Sequence, residues 1–321
     1  MKLIRILLLF QTNILVGGQA VIEGVMMRVP GAYSTAVRNP EGKIITDRHH
    51  YTSIIDRHSK LKKPIIRGII GLYEALRIGL STLQWSADIA EPMEKEGEKK
   101  KIIDSLVSLF AIAIAISIFL VLPILLTSWM FDKDNNPVTF NLISGTFRIL
   151  FFISYLLLIS MMKDVQRLFQ YHGAEHKAIY TFEAGLELTV MNTYKFPTQH
   201  PRCGTSFLFI VMLIAIISFA FIDFILIKFV GDLNPMTRIL FHLPMIPPVA
   251  GIGYEVLKAT AQYRDFILFR IFAAPGLWLQ HITTKSPNDE QMSVALEALK
   301  SAFGEKLKDY EGKVFTAEAI G

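Results

Sequence analysis

Within five residues the chain carries His172, Glu175 and His176 in the order H-x-x-E-H. On a helix, positions i and i+4 lie one above the other, so both imidazoles face the same way. Two imidazoles one turn apart, with a carboxylate between them, form the inverted zinc-hydrolase helix: two metal ligands and Glu175 as general base. The pair needs a third ligand. His200 and Cys203 offer one each in His200-Pro-Arg-Cys-Gly-Thr205, because imidazole and thiolate both suit zinc-type ions. Glu255, in Gly251-Ile-Gly-Tyr-Glu255, is the other candidate, as a carboxylate far downstream of the helix. Cys203, beside Arg202 and near a helix start, also fits a nucleophile of lowered pKa with His200 or His176 as its base. Without a metal, the histidine pair reads as a solvated juxtamembrane helix, and Cys203 as a small apolar residue in a Pro-Gly turn.

The helix bearing the histidines is expected to run to Glu183 before Gly185 ends it. Glu183 shares the His176 face, and Lys177 could hold an anionic group. A further element is Gly17-Gly-Gln-Ala-Val-Ile-Glu23-Gly-Val-Met-Met-Arg28. Its paired glycines allow close backbone approach, and Glu23 and Arg28 could enter a polar site. It lacks the Gly-Lys-Ser/Thr ending of a phosphate loop. His49, His50 and His58 lie in a mixed-charge stretch and read as solvated. The basic residues are scattered rather than striped with aromatics, so nucleic acid is not an implied partner.

These residues need a scaffold, and composition indicates which. The chain has 321 residues, 52% hydrophobic and 19% charged, with net charge +5. The apolar residues gather into four long runs, which predicts an all-α polytopic membrane protein whose first partner is the lipid bilayer. Spans are expected at 103–130, 138–162, 207–230 and 239–260. Arg148 in the second span requires a partner or snorkelling. Pro244, Pro247, Pro248, Gly251 and Gly253 predict a kinked or partly unwound fourth span. Asp223 is expected to pair structurally, and His242 to lie far from the histidine helix. Lysine and arginine concentrate before the first span, between the second and third, and after the fourth. Both termini and the motif loop are therefore expected in the cytoplasm.

The remaining segments read as follows. Residues 1–62 form an N-terminal cytoplasmic part containing a β-hairpin around Asn39-Pro-Glu-Gly42, to which 188–194 could add a strand. Residues 63–101 hold an interfacial or re-entrant helix over 63–87 and a charged linker. Spans one and two occupy 102–162, the motif loop 163–205, spans three and four 206–262, and a C-terminal helical tail 263–321. In that tail an amphipathic helix is expected over 286–307, with Pro287 in its first turn. The opening residues lack a small-residue cleavage site and do not read as a cleaved signal peptide. One cysteine forms no internal disulfide, so nothing argues for an oxidising compartment.

The Gly17–Arg28 motif, Tyr171-His-Gly-Ala-Glu-His-Lys177 and His200-Pro-Arg-Cys-Gly-Thr-Ser-Phe207 together resemble the bacterial DUF1385 family. The resemblance also takes in Thr283-Thr-Lys-Ser-Pro287 and the four-span layout. It implies a multi-pass protein of the bacterial cytoplasmic membrane and a metal-dependent enzyme without an established reaction, so no catalytic residue carries over. The favoured expectation is a membrane-embedded hydrolase using a divalent metal, in the first place Zn2+, at the cytoplasmic membrane surface. Its substrate could be lipid-linked, a peptide or a small polar metabolite. The alternative is a non-catalytic metal-binding membrane factor or transporter.

Overall fold

The computed structural model describes residues 16–91, 98–130, 136–262, 267–310 and 312–315. The opening segment 1–15 and most of the charged linker lie outside the described residues. Where a single hairpin was expected, residues 17–50 form a four-stranded antiparallel meander: β1 (Gly17–Val21), β2 (Gly24–Val29), β3 (Ala32–Arg38) and β4 (Ile44–His50). The expected β3–β4 hairpin is present, closed by Asn39, whose side chain accepts from the Lys43 amide, and by Gly42 at φ +82°. The two added strands come from the Gly17–Arg28 motif. Its tight turn places Glu23 at φ +52°, and the β2–β3 turn uses Pro30 and Gly31 at φ +86°.

The sheet is covered on both faces. Val25, Met27 and Val29 point into the main core, against α5 (Lys163–Glu183) and α9 (Asp289–Phe303). Val21, Met26 and Val37 point the other way, with Ile78 of α1 (Ile66–Ala90). Strand side chains alternate faces, so β2 reads as nearly continuous apolar sequence rather than as an alternating strand. Helix α9 closes the core with Met292, Ala295, Leu296, Leu299 and Phe303. It begins at Asp289, not at Pro287, because Asn288 and Gln291 form a reciprocal capping box.

Among the described residues, four helices are long and apolar enough to cross a membrane: Leu106–Met130, Pro137–Ile159, Gly204–Val230 and Pro235–Ala259. The first combines α2 (Glu98–Ile116), a π-helical stretch at Ser117–Val121 and α3 (Leu122–Met130). The others are α4 (Pro137–Ile159), α6 (Gly204–Val230) and α7 (Pro235–Gln262). α7 runs through Pro244, Pro247 and Pro248 as one helix, so the expected unwinding does not occur. α1 crosses it closely: a methyl group on Gly68 would lie 2.9 Å from the Gly251 carbonyl oxygen. This contact supports α7 just past its prolines.

α1 begins three residues after the expected start and exposes Tyr73, Leu76 and Leu80 on one side. Its buried Glu74 accepts hydrogen bonds from the Ser53 hydroxyl and the Ile54 amide, capping a single helical turn at Ile54–Arg57. The region expected as a helical tail holds, ahead of its amphipathic helix, α8 (Ile267–Thr283), which packs on α6 through Leu279, with Phe209 and Leu156 in the same cluster. The strand expected over 188–194 is instead a helical turn, Val190–Thr193, started by the Thr189 side chain accepting from the Asn192 amide.

Candidate metal centre

Helix α5 starts directly after α4 and ends at Glu183, with Gly185 at φ +65°. His172 and His176 lie on one face, ring centroids 4.5 Å apart. Over that face runs the segment 198–203, which leads into α6, together with the end of α8. Cys203 is the N-cap of α6: its sulfur lies 3.1 Å from the Thr205 hydroxyl and accepts from the Thr205 amide. One nitrogen from each of His172 and His176, and the Cys203 sulfur, all lie within 4.8 Å of one another.

The second nitrogen of each ring fixes the tautomer. His172 Nδ1–H donates to the Thr283 carbonyl oxygen at 2.8 Å, and His176 Nδ1–H donates to the Thr198 carbonyl oxygen. A carbonyl can only accept, so the facing nitrogen carries the proton and Nε2 is left with its lone pair. His172 Nε2 lies 3.1 Å from Cys203 Sγ. Backbone carbonyls that hold Nδ1–H and aim Nε2 inward are the usual outer support of metal-binding histidines.

Electrostatics favours the ligating form of two of the three groups. Burial lowers the His176 pKa and keeps the ring neutral, although Cys203 pulls the other way. Burial alone would raise the Cys203 thiol, but hydrogen bonds with His176 and Thr205 outweigh it and bring the net shift below the ordinary value. Glu175 is fully enclosed, and burial pushes its carboxyl up to about 8, partly offset by His172. It sits under β1, where a methyl group on Gly18 would lie 3.0 Å from its side chain. The close approach allowed by the paired glycines thus falls on Glu175.

The other sequence candidates lie around this group rather than in it. His200 is buried beside His176, at 5.5 Å between ring centroids, but faces Glu183, its Nε2 3.5 Å from the carboxylate. Glu183 also pairs with Arg202, so Glu183 and Arg202 tie the His200–Cys203 segment to α5. Glu255 is held by Arg67 of α1, whose Nε donates to it at 2.7 Å, and contributes no atom to the His/Cys group. Lys177 donates to the carbonyls of Thr193 and Phe196, holding a loop rather than an anion. Glu23 takes a two-pronged bond from Arg167 and a hydrogen bond from the Tyr171 hydroxyl, clamping the β1–β2 turn to α5. Arg28 lies over the Tyr51 ring at 4.5 Å. Both are structural here.

Three contributors escaped sequence reasoning. Thr198 and Thr283 act through backbone carbonyls, which any residue type could supply. Gln280 latches the His200 backbone with both ends of its amide: its Oε1 accepts from the His200 N–H at 2.6 Å and its Nε2 donates to the His200 carbonyl at 2.9 Å. Gly173, inside the motif, leaves room for the Lys285 carbonyl oxygen, which a methyl group would meet at 2.1 Å.

The family described as "Protein of unknown function (DUF1385)" matches residues 63–305. A Bacillus subtilis (strain 168) protein described as "Uncharacterized protein YqhQ" is 32% identical over 302 residues, spanning 88% of this chain and 90% of its own length. No solved structure matches.

Proposed function

The chain belongs to the DUF1385 family, and from that premise we propose a multi-pass membrane protein with a metal-dependent hydrolytic centre at the cytoplasmic membrane surface. The observation that carries the proposal is the convergence of one nitrogen from each of two imidazoles and one cysteine sulfur within 4.8 Å, with each ring's Nδ1 facing a backbone carbonyl. Three protein ligands with a fourth position left to water or substrate is the arrangement of catalytic rather than structural zinc. His172, His176 and Cys203 would hold the ion. A bound Zn2+ supplies Lewis acidity and a water acidified to near pH 7.

The chain's own residues do the rest. The charge of a bound cation would lower the Glu175 pKa from the value of about 8 that burial alone sets, and the carboxylate so freed would take the proton of the attacking water and deliver it to the leaving group. A groove of about 610 Å³ flanks the His200 segment and is lined by Tyr180, Gln199, Leu277, Trp278 and His281. Its mixed apolar and polar lining suits an amphipathic, lipid-linked substrate. The distribution of Lys and Arg supports both termini and this site in the cytoplasm.

Elemental analysis of the full-length protein in mild detergent, wild type beside His172→Ala, tests the metal. About one equivalent in the wild type and loss in the variant is expected; less than about half an equivalent in the wild type refutes the reading. Activity is then read on acyl p-nitrophenyl esters of graded chain length. One observation favours a second reading: Cys203 Sγ lies 3.1 Å from His172 Nε2, close enough for a metal-free thiol nucleophile with an imidazole base. Alkylation that abolishes ester cleavage at unchanged metal content would select it.

A further inference from the structure

A second polar cluster lies inside the helix bundle, in the half remote from the histidines. Asp223 on α6 is 20 residues past Cys203, roughly 30 Å along the helix at 1.5 Å per residue. It is fully buried, and its two oxygens are already engaged. Oδ1 receives His242 Nε2 at 2.8 Å, and Oδ2 receives Asn141 Nδ2 at 2.7 Å together with Arg238 Nη1. Phe219 stacks on His242, and Phe140 lies under the Arg238 guanidinium at 3.6 Å.

Arg148 is the group this arrangement leaves over. It lies midway along α4, is 7% exposed, and none of its three guanidinium nitrogens has a hydrogen-bond partner among the described residues. The Phe219 ring lies 5.3 Å from its guanidinium carbon. Asn141, Ser144 and Arg148 share one face of α4, since they are three and four residues apart. The Ser144 hydroxyl is buried and unpartnered as well, as are Arg238 Nε and His242 Nδ1. Two guanidiniums thus face one carboxylate that is already fully occupied. The cluster is net positive and donor-rich, with Arg148 at mid-depth of α4 and Arg238 three residues into α7. Ionisable groups at that depth are costly and rarely kept without a counter-charge or a ligand.

We propose that Arg148 and Ser144, with Arg238 and His242 behind them, form a binding site for an oxyanion of the phosphate type, distinct from the His/Cys centre. The guanidinium is a planar fork of donors matched to phosphate oxygens, and the neighbouring hydroxyl supplies a donor from a second direction. The same chemistry is presented by the headgroup of an anionic phospholipid and by inorganic phosphate.

The test uses the full-length protein in phosphatidylcholine nanodiscs, with thermal unfolding as readout. One arm adds inorganic phosphate against chloride of equal ionic strength; the other replaces part of the lipid by phosphatidylglycerol. A ligand that binds only the folded state raises Tm. A rise of several degrees in the phosphate arm identifies a water-borne anion, and one in the phosphatidylglycerol arm a lipid headgroup; either supports the site if Arg148→Met abolishes it. Arg148→Lys keeps the charge without the fork and serves if the methionine variant does not fold. It should require about tenfold more of the active probe. Metal content should stay at the wild-type value in both variants. No shift of the wild type in either arm, or an equal response in Arg148→Lys, overturns the proposal.

Discussion

Replacing Gly173 by alanine sets helix propensity against the geometry of the centre. In an ordinary helix interior the exchange stabilises by about 1 kcal/mol. Here the new methyl carbon would sit 2.1 Å from the Lys285 carbonyl oxygen and 3.2 Å from Thr198 Cγ2. Ordinary contact begins near 3.4 Å, so the segment at 283–285 must retreat by about 1.3 Å. It is not free to do so, because the Lys285 amide donates to the Phe169 carbonyl at 2.9 Å. A shift of that size carried to Thr283 breaks its 2.8 Å bond to His172, and pressure on Thr198 disturbs the bond to His176. Overpacking of this kind costs about 1–3 kcal/mol, and loss of the outer support of a ligand costs about 10–100-fold in metal affinity. Gly204→Ala is the control: it adjoins Cys203, but a methyl group there meets nothing within 4 Å. Both variants are titrated with zinc against a chromophoric chelator and unfolded thermally. Equal zinc affinity and equal Tm in the two refutes the reasoning.

Other outcomes follow from the same geometry. Glu175→Gln should keep its metal and lose ester cleavage. In chelator-stripped protein the wild-type Glu175 holds its proton to about pH 8, whereas the unfolded chain loses it near 4.5. Stability should therefore fall as pH rises through that window and level off above it, by roughly 3–5 kcal/mol, and Glu175→Gln should lack this component in a Tm-against-pH series. His200→Ala should lower Tm, because a buried ring packed against Glu183, His176 and Tyr180 is lost, while metal stoichiometry stays at the wild-type value; a halved metal content would make His200 a ligand. Glu255→Gln weakens a half-exposed pair with Arg67 and should cost about 1 kcal/mol or less with metal unchanged. Cys203, the single cysteine, should react with iodoacetamide slowly after chelation and not at all when zinc-loaded. Identical labelling rates in the two states would exclude Cys203 as a ligand.

The span-length helices were legible because four long apolar runs leave no other reading, and α5 because its histidines, Glu183 and Gly185 mark its face and its end. β1 and β2 were not. β2 is covered on both sides, so its apolar residues lose the alternation that marks a strand. The Pro30-Gly31 dipeptide was the available sign of a turn. α8 was missed because it is short for a span and carries Pro275. In the candidate site, the spacing of His172 and His176 and the type of Cys203 were enough to nominate them. Glu255 was drawn in by its place in α7, and its actual partner, Arg67, is 188 positions away in sequence. A pairing that distant leaves no local trace, and neither does a backbone carbonyl used as a hydrogen-bond acceptor.

The late position of Thr283 and α9 has a consequence for biosynthesis. Translation delivers the sheet before both histidines, yet the carbonyl that orients His172 follows it by 111 residues, and the helix that closes the sheet's core comes later still. A nascent or truncated polypeptide stopping before residue 283 would insert its spans and still have a lopsided, weakly chelating pocket. On the proposed reading metallation would wait for residues 283–303, and chains cut short at 270 should co-purify with membranes but without zinc.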